Sequence, residues 1–275
     1  MKRIITSLLL ILSVVATHAE CQPDSIRYFD LMGEADKAIA GDDWNLAEQK
    51  LLEALRLMPA NPVNILLLSN LGMIRFHAGK TDEAIATLTD AHTMAPASVT
   101  ILQNRARIYA EIGRDKDAIN DYASIIALDS TLVEPLFYHA MLSINAGDLL
   151  SADTDVTRLK TISSNDRLTY LADATLALHT GLYAQAISPL SHLIDTDPTA
   201  GYYASRSLCR LMLGQLQEAS DDIARGLEID PVDSELYIYR ALLNKMRYRP
   251  EDAKSDARRA IELGADATRV NTLIQ

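Results

Sequence analysis

Cysteine is nearly absent: Cys21 and Cys209 stand 188 positions apart in 275 residues, which rules out a disulfide framework and leaves Cys209 to read as a small buried hydrophobe. Only 5% of residues are aromatic. Basic residues are outnumbered 26 to 37, for a net charge of -11. With no basic run either, this disfavours phosphate backbones or anionic lipid as the main partner. No later segment resembles a transmembrane span, and the one long apolar run, Ile4 to Val15, is too short to cross a bilayer comfortably. There is no glycine-rich phosphate loop, no CxxC, no HExxH and no GxSxG. The six histidines are scattered, and His77 and His179 each stand two places before a glycine, without a second ligand at coordinating spacing. These absences point away from an enzyme, a cofactor and a metal.

What is present is ordinary for a soluble globular chain, 48% hydrophobic and 23% charged residues, in a length that buries a large core. The N-terminus MKRIITSLLLILSVVATHAE sets Lys2 and Arg3 before the apolar run and small residues at Thr17 and Ala19. That is the layout of a secretory signal, residues 1–19, cut after Ala19, and it implies a periplasmic or cell-surface protein. The alternative is a lipoprotein anchored at Cys21, although His18, Ala19 and Glu20 depart from a lipobox.

The glycines carry a period. Gly79, Gly113, Gly147, Gly181 and Gly214 are separated by 34, 34, 34 and 33. Five places after each stands an alanine, Ala84, Ala118, Ala152, Ala186 and Ala219, and seven before stands Gly72, Ala106, Ala140, Ala174 or Ser207. Gly41 with Ala47 fits after a one-residue insertion, and Ala241 with Ala253 fits around Tyr248, giving seven repeats. Pro59, Pro96, Pro198 and Pro231 close four of them. Each repeat reads as a helical hairpin: an amphipathic helix, a glycine that takes positive φ past its end, a short turn, and a second helix stopped near a proline. The small residues let two helices approach. Pro189, inside the second helix of the fifth repeat, predicts a local kink or a shifted helix start.

SNLGMIRFHAGKTDEAIATLTDAHTMAP, residues 69–96, and YYASRSLCRLMLGQLQEASDDIARGLEIDP, residues 202–231, closely resemble tetratricopeptide repeats. The resemblance covers residues 26–265, in repeats at about 26–60, 63–97, 99–131, 133–165, 167–199, 200–232 and 234–265, with the more divergent ones in the fourth and fifth places. It implies an all-α, right-handed α-solenoid with an inner groove, and residues 266–275 read as a capping helix, since the last repeat of an array has no neighbour to cover it.

Charges repeat as well. Arg105 and Asp121 lie eight places either side of Gly113, about 12 Å from the turn on facing helices. The same symmetry sets Arg206 with Asp222, Arg240 with Asp256, and His139 with Asp155, predicting ion pairs that staple helix to helix. Leu71 with Thr87 and Asp173 with Pro189 lack such a pair. Arg114, Asp115 and Asp117 read as a solvated turn whose acids favour the helix start, and Trp44 as inter-helix packing.

In the family that the chain resembles, a stripe of each first helix faces the concave side, at ten, six and three places before the glycine and at neighbouring positions. Here the stripe supplies Asn70, Met73, Asn104, Arg107, Phe137, Tyr138, Met141, Leu171, Leu208, Ile238, Tyr239 and Leu242, more polar at its N-terminal end and mostly apolar at its C-terminal end. The resemblance thus implies a non-enzymatic scaffold that binds a protein or peptide partner in this groove. The apolar part has a second reading, as packing between successive first helices. The rival function is a structural subunit of an envelope or secretion complex, docking by its convex face or its ends.

Overall fold

The computed structural model describes residues 23–274; the expected signal and Cys21 lie outside them. The described residues form fifteen helices and no strand. They divide into two compact units, the first ending at Ser130 and the second beginning at Thr131. The first holds α1 (Pro23–Ala40), α2 (Trp44–Leu57), α3 (Asn64–His77), α4 (Thr81–Met94), α5 (Val99–Glu111) and α6 (Asp115–Leu128). The second holds α7 (Val133–Ala146), α8 (Leu149–Ile162), α9 (Arg167–His179), α10 (Tyr183–Thr196), α11 (Ala200–Met212), α12 (Leu216–Ile229), α13 (Ser234–Met246), α14 (Pro250–Glu262) and α15 (Ala267–Ile274).

Each first helix pairs with the helix that follows it, and the resulting hairpins stack through their neighbours: α2 on α3, α4 on α5 and α3 on α5 in the first unit; α7 on α9, α10 on α11 and α11 on α13 in the second. The turns explain the period. Gly79, Gly113, Gly147, Gly181 and Gly214 all take φ between +71° and +79°, a region that costs glycine no Cβ clash. The amide after each closes onto the carbonyl five residues back, as Lys80 does to Arg75 and Arg114 to Tyr109, both at 2.8 Å. That bond ends the helix without leaving its last carbonyl unpaired.

In the first repeat the positive-φ residue is Asp42, at +59°, and the amide of Asp43 reaches the carbonyl of Ala38 at 2.9 Å. Asp42, not Gly41, is therefore the turn residue, and Ala47 follows it at the regular five places with no insertion inside the hairpin. A short polar side chain tolerates this conformation. In the last repeat Tyr248 holds the position, at +57°.

The small residues sit where two helices touch. Ala35, Ala106, Ala140, Ala174, Ser207 and Ala241 are buried, as is Gly72. So are the alanines five places after each turn, Ala47, Ala84, Ala118, Ala152, Ala186, Ala219 and Ala253. A Cβ on Gly72 would lie 2.5 Å from Cγ of Leu88, so contact distance requires glycine there.

Pro189 lies within α10, which begins two places after Gly181 as α4 does after Gly79. The shifted start expected from sequence is absent. Proline removes one amide from the ladder, and the carbonyl left over belongs to Gln185, an exposed residue that water reaches. No described helix is long and apolar enough to cross a membrane.

Candidate functional site

The four expected charged pairs lie between the two helices of their hairpins. Arg105 donates from Nε and Nη2 to the two oxygens of Asp121, both at 2.8 Å, in a buried bidentate pair, and from Nη1 to Thr89 of the preceding hairpin at 3.3 Å. The bonds to Asp121 hold the guanidinium above its ordinary pKa. Arg206 repeats this on Asp222, at 3.0 and 2.7 Å, and reaches back to Ser191 at 2.8 Å. Arg240 meets Asp256 at 2.6 Å, and Nδ1 of His139 lies 2.5 Å from Asp155.

A fifth staple appears once Asp42 sets the register. Glu34 and Lys50, eight places either side of it, pair at 2.9 Å with the signs exchanged. The reading based on Gly41 misses this pair by one residue. The position four before the turn also reaches the second helix: Arg210 to Asp222 at 2.7 Å, Asn244 to Asp256 at 2.9 Å, and Arg75 to Thr87 at 2.6 Å. Arg75 thus supplies the contact that Leu71 does not, and it also meets Glu48 at 2.8 Å, where Lys80 joins at 2.6 Å. Burial opposes the charge on Glu48, but the bonds from Lys80 and Arg75 outweigh it and hold the carboxyl below its usual range. Asp173 finds Lys160 of the preceding hairpin at 2.8 Å. His77 stacks on Trp44 with ring centroids 4.8 Å apart, and His179 bonds the carbonyl of Thr175 at 2.9 Å; both histidines are exposed.

With these side chains used between helices, the stripe that the resemblance assigns to the groove remains. In the N-terminal unit, Nδ2 of Asn104 donates to Ser69 Oγ at 3.0 Å, tying α5 to α3. Met73 packs on the cluster that contains Ile101 and Ile108, leaving part of its side chain open. Asn70 and Arg107 are half-buried. Among the described residues the buried side-chain nitrogen or oxygen lacking a partner is Nδ1 of His92, so the polar atoms of Asn70 and Arg107 meet solvent.

The C-terminal unit differs from the expectation. Ile238 and Tyr239 belong to its core, Ile238 at 1% exposure, and Phe137 is buried edge-on to Tyr138 at 5.2 Å. These three present little or no surface to a partner. The cause at α13 is α15, whose Val270 enters the same cluster while Arg269 bonds Glu235 at 2.7 Å. Burial drives the Tyr239 phenol upward in pKa. Leu208 and Leu242 pack against that cluster and stay half-buried, as do Met141, Leu171 and Tyr138. Here the packing reading of the apolar stripe holds for part of it.

No family model matches the chain. It is 26% identical over 168 residues to a tetratricopeptide repeat and J domain-containing co-chaperone of Fusarium oxysporum f. sp. lycopersici, a match that takes in 58% of this chain and 32% of that one. The chain thus spans about a third of that relative's length. Among solved structures, a tetratricopeptide repeat protein from Parabacteroides merdae is 28% identical with a TM-score of 0.68, over 90% of this chain and 98% of that one. YrrB, a tetratricopeptide repeat protein with an unusual peptide-binding site, shares the fold at 15% identity and a TM-score of 0.54, over 67% of this chain and 96% of that one. The period, the positive-φ turns, the small-residue contacts and these likenesses agree: the chain folds as an array of helical hairpins similar to those of tetratricopeptide-repeat proteins.

Proposed function

We propose that the protein is a non-enzymatic scaffold that binds a protein or peptide partner along the inner faces of α1, α3 and α5. The surface around Met73 carries this reading. A partly open methionine lies on the same stripe as Asn70 and Arg107, whose polar atoms reach solvent, on backbones already fixed by the Asn104 to Ser69 bond. A preformed surface of this kind avoids the ordering cost of binding on its own side. The peptide-binding site of YrrB and the co-chaperone role of the fungal relative support the same class of partner. Substituting Met73→Glu or Arg107→Glu removes partner capture while helicity is retained; capture at the wild-type level by both variants would reject this surface.

A second reading, an assembly subunit, draws on the turns of the C-terminal unit. Leu150 is 79% exposed, Met212 52% and Tyr248 94%, and exposed apolar side chains of this size mark contact surfaces when they cluster. For location, the proposal is export, with cleavage after Ala19; intact-mass analysis of the fractionated native protein distinguishes that cut from acylation at Cys21.

A further inference from the structure

Asp42, Gly79 and Gly113 fix equivalent positions in the three hairpins of the N-terminal unit, and the position six residues before each turn is Asp36, Met73 or Arg107. All three are half-buried, on α1, α3 and α5. Helix α1 shares one core with Leu67, Leu71 and Ile74 of α3, and α3 packs on α5. The row therefore runs from an acid, across a methionine, to an arginine.

Neither charge is answered within the described residues. Several other buried or half-buried charges of this unit do find partners: Glu34 pairs with Lys50 and Arg27, Glu48 with Arg75 and Lys80, Arg105 with Asp121, and Asp117 with Arg114. Among the described residues no cation pairs with Asp36, and burial pushes its carboxyl up in pKa. Leaving a half-buried charge unpaired is unfavourable, and a partner that supplies the opposite charge recovers that free energy.

We propose that this row recognises an extended peptide segment with a lysine or arginine at one end, a carboxylate at the other, and an apolar side chain between them. The inference rests on the reading that this face binds a protein partner. Helix α1 joins α3 through the core they share with α2, and at about 8–10 Å for each helix-to-helix step the row spans on the order of 20 Å. An extended chain covers that in about six residues at about 3.3 Å each. The basic residue would pair with Asp36, the apolar one would cover Met73, and the carboxylate would take Arg107.

The test is selection of a random twelve-residue peptide library, displayed on phage, against the full chain and against Asp36→Lys and Asp36→Asn. The wild type should enrich peptides with a Lys or Arg and an Asp or Glu five to seven places apart. Asp36→Lys should replace the basic residue by an acidic one, and Asp36→Asn should erase the preference at that end. Selected peptides should also bind Met73→Glu at least tenfold more weakly. Peptides that depend on Met73 but ignore the charge at residue 36 would overturn this inference and leave the binding face standing. Peptides that bind Met73→Glu undiminished would overturn both. Failure to enrich any peptide, with circular dichroism showing folded protein, would overturn the charge row.

Discussion

The guanidinium of Arg105, with its side chain 11% exposed, has given up most of its water for Asp121 and Thr89. Removing one member of such a pair strands the other as a buried charge, so Arg105→Ala should cost about 3–5 kcal/mol in urea denaturation. Arg240 is 39% exposed, and its buried partner Asp256 also accepts a bond from Asn244 at 2.9 Å, so Arg240→Ala strands no unanswered charge and should cost clearly less than Arg105→Ala. Equal losses would mean that burial does not decide the strength of these staples. Glu48 gives a pH signature. Its folded pKa lies below the ordinary 4.5, so its contribution is present above that value and fades as pH falls through the folded pKa. Melting temperature should therefore drop more between pH 6 and pH 3 for the wild type than for Glu48→Gln. A parallel drop would contradict the assignment.

Elements are set by the turns and by the close contacts around them. Tyr248 adopts a conformation that costs an L side chain roughly 1–2 kcal/mol, and its ring is exposed and contributes no packing. Glycine relieves the strain but costs about 0.5–1 kcal/mol in chain entropy. Tyr248→Gly should thus stabilise the protein by about 0.5–1 kcal/mol, and a loss of stability would show that the ring is anchored. Gly72→Val has the opposite sign. A Cβ at 2.5 Å from Leu88 Cγ forces overpacking of about 1–3 kcal/mol, more than the few tenths gained in helix propensity, while Ala86→Val on the exposed side of α4 should change little.

The same elements show what the sequence made legible. Glycine spacing located five turns, because glycine is the residue that positive φ selects. It misplaced the first turn by one residue, because aspartate also tolerates that geometry, and the Glu34 to Lys50 staple was missed with it. The Arg75 to Glu48 pair was missed for another reason: it joins neighbouring hairpins, and one repeat's internal symmetry says nothing of the next. Burial of Ile238 and Tyr239 depends on α15 docking against α13, a contact that the stripe pattern does not encode.

For the whole molecule, the net charge is -11, and the buried pairs Arg105 with Asp121 and Arg206 with Asp222 serve to hold hairpins together. On the N-terminal unit, Asp36, Asn70 and Arg107 are half-buried charged or polar side chains on the same helices as Met73 or neighbouring ones, and they form the proposed binding row. The most direct test is cross-linked capture of the native partner by wild type, Met73→Glu, Arg107→Glu, and the turn variants Leu150→Glu and Tyr248→Glu, each checked by circular dichroism. The account predicts at least a tenfold loss of capture for the two inner-face variants and wild-type capture for the two turn variants. Undiminished capture by Met73→Glu and Arg107→Glu, with loss in the turn variants, would contradict it.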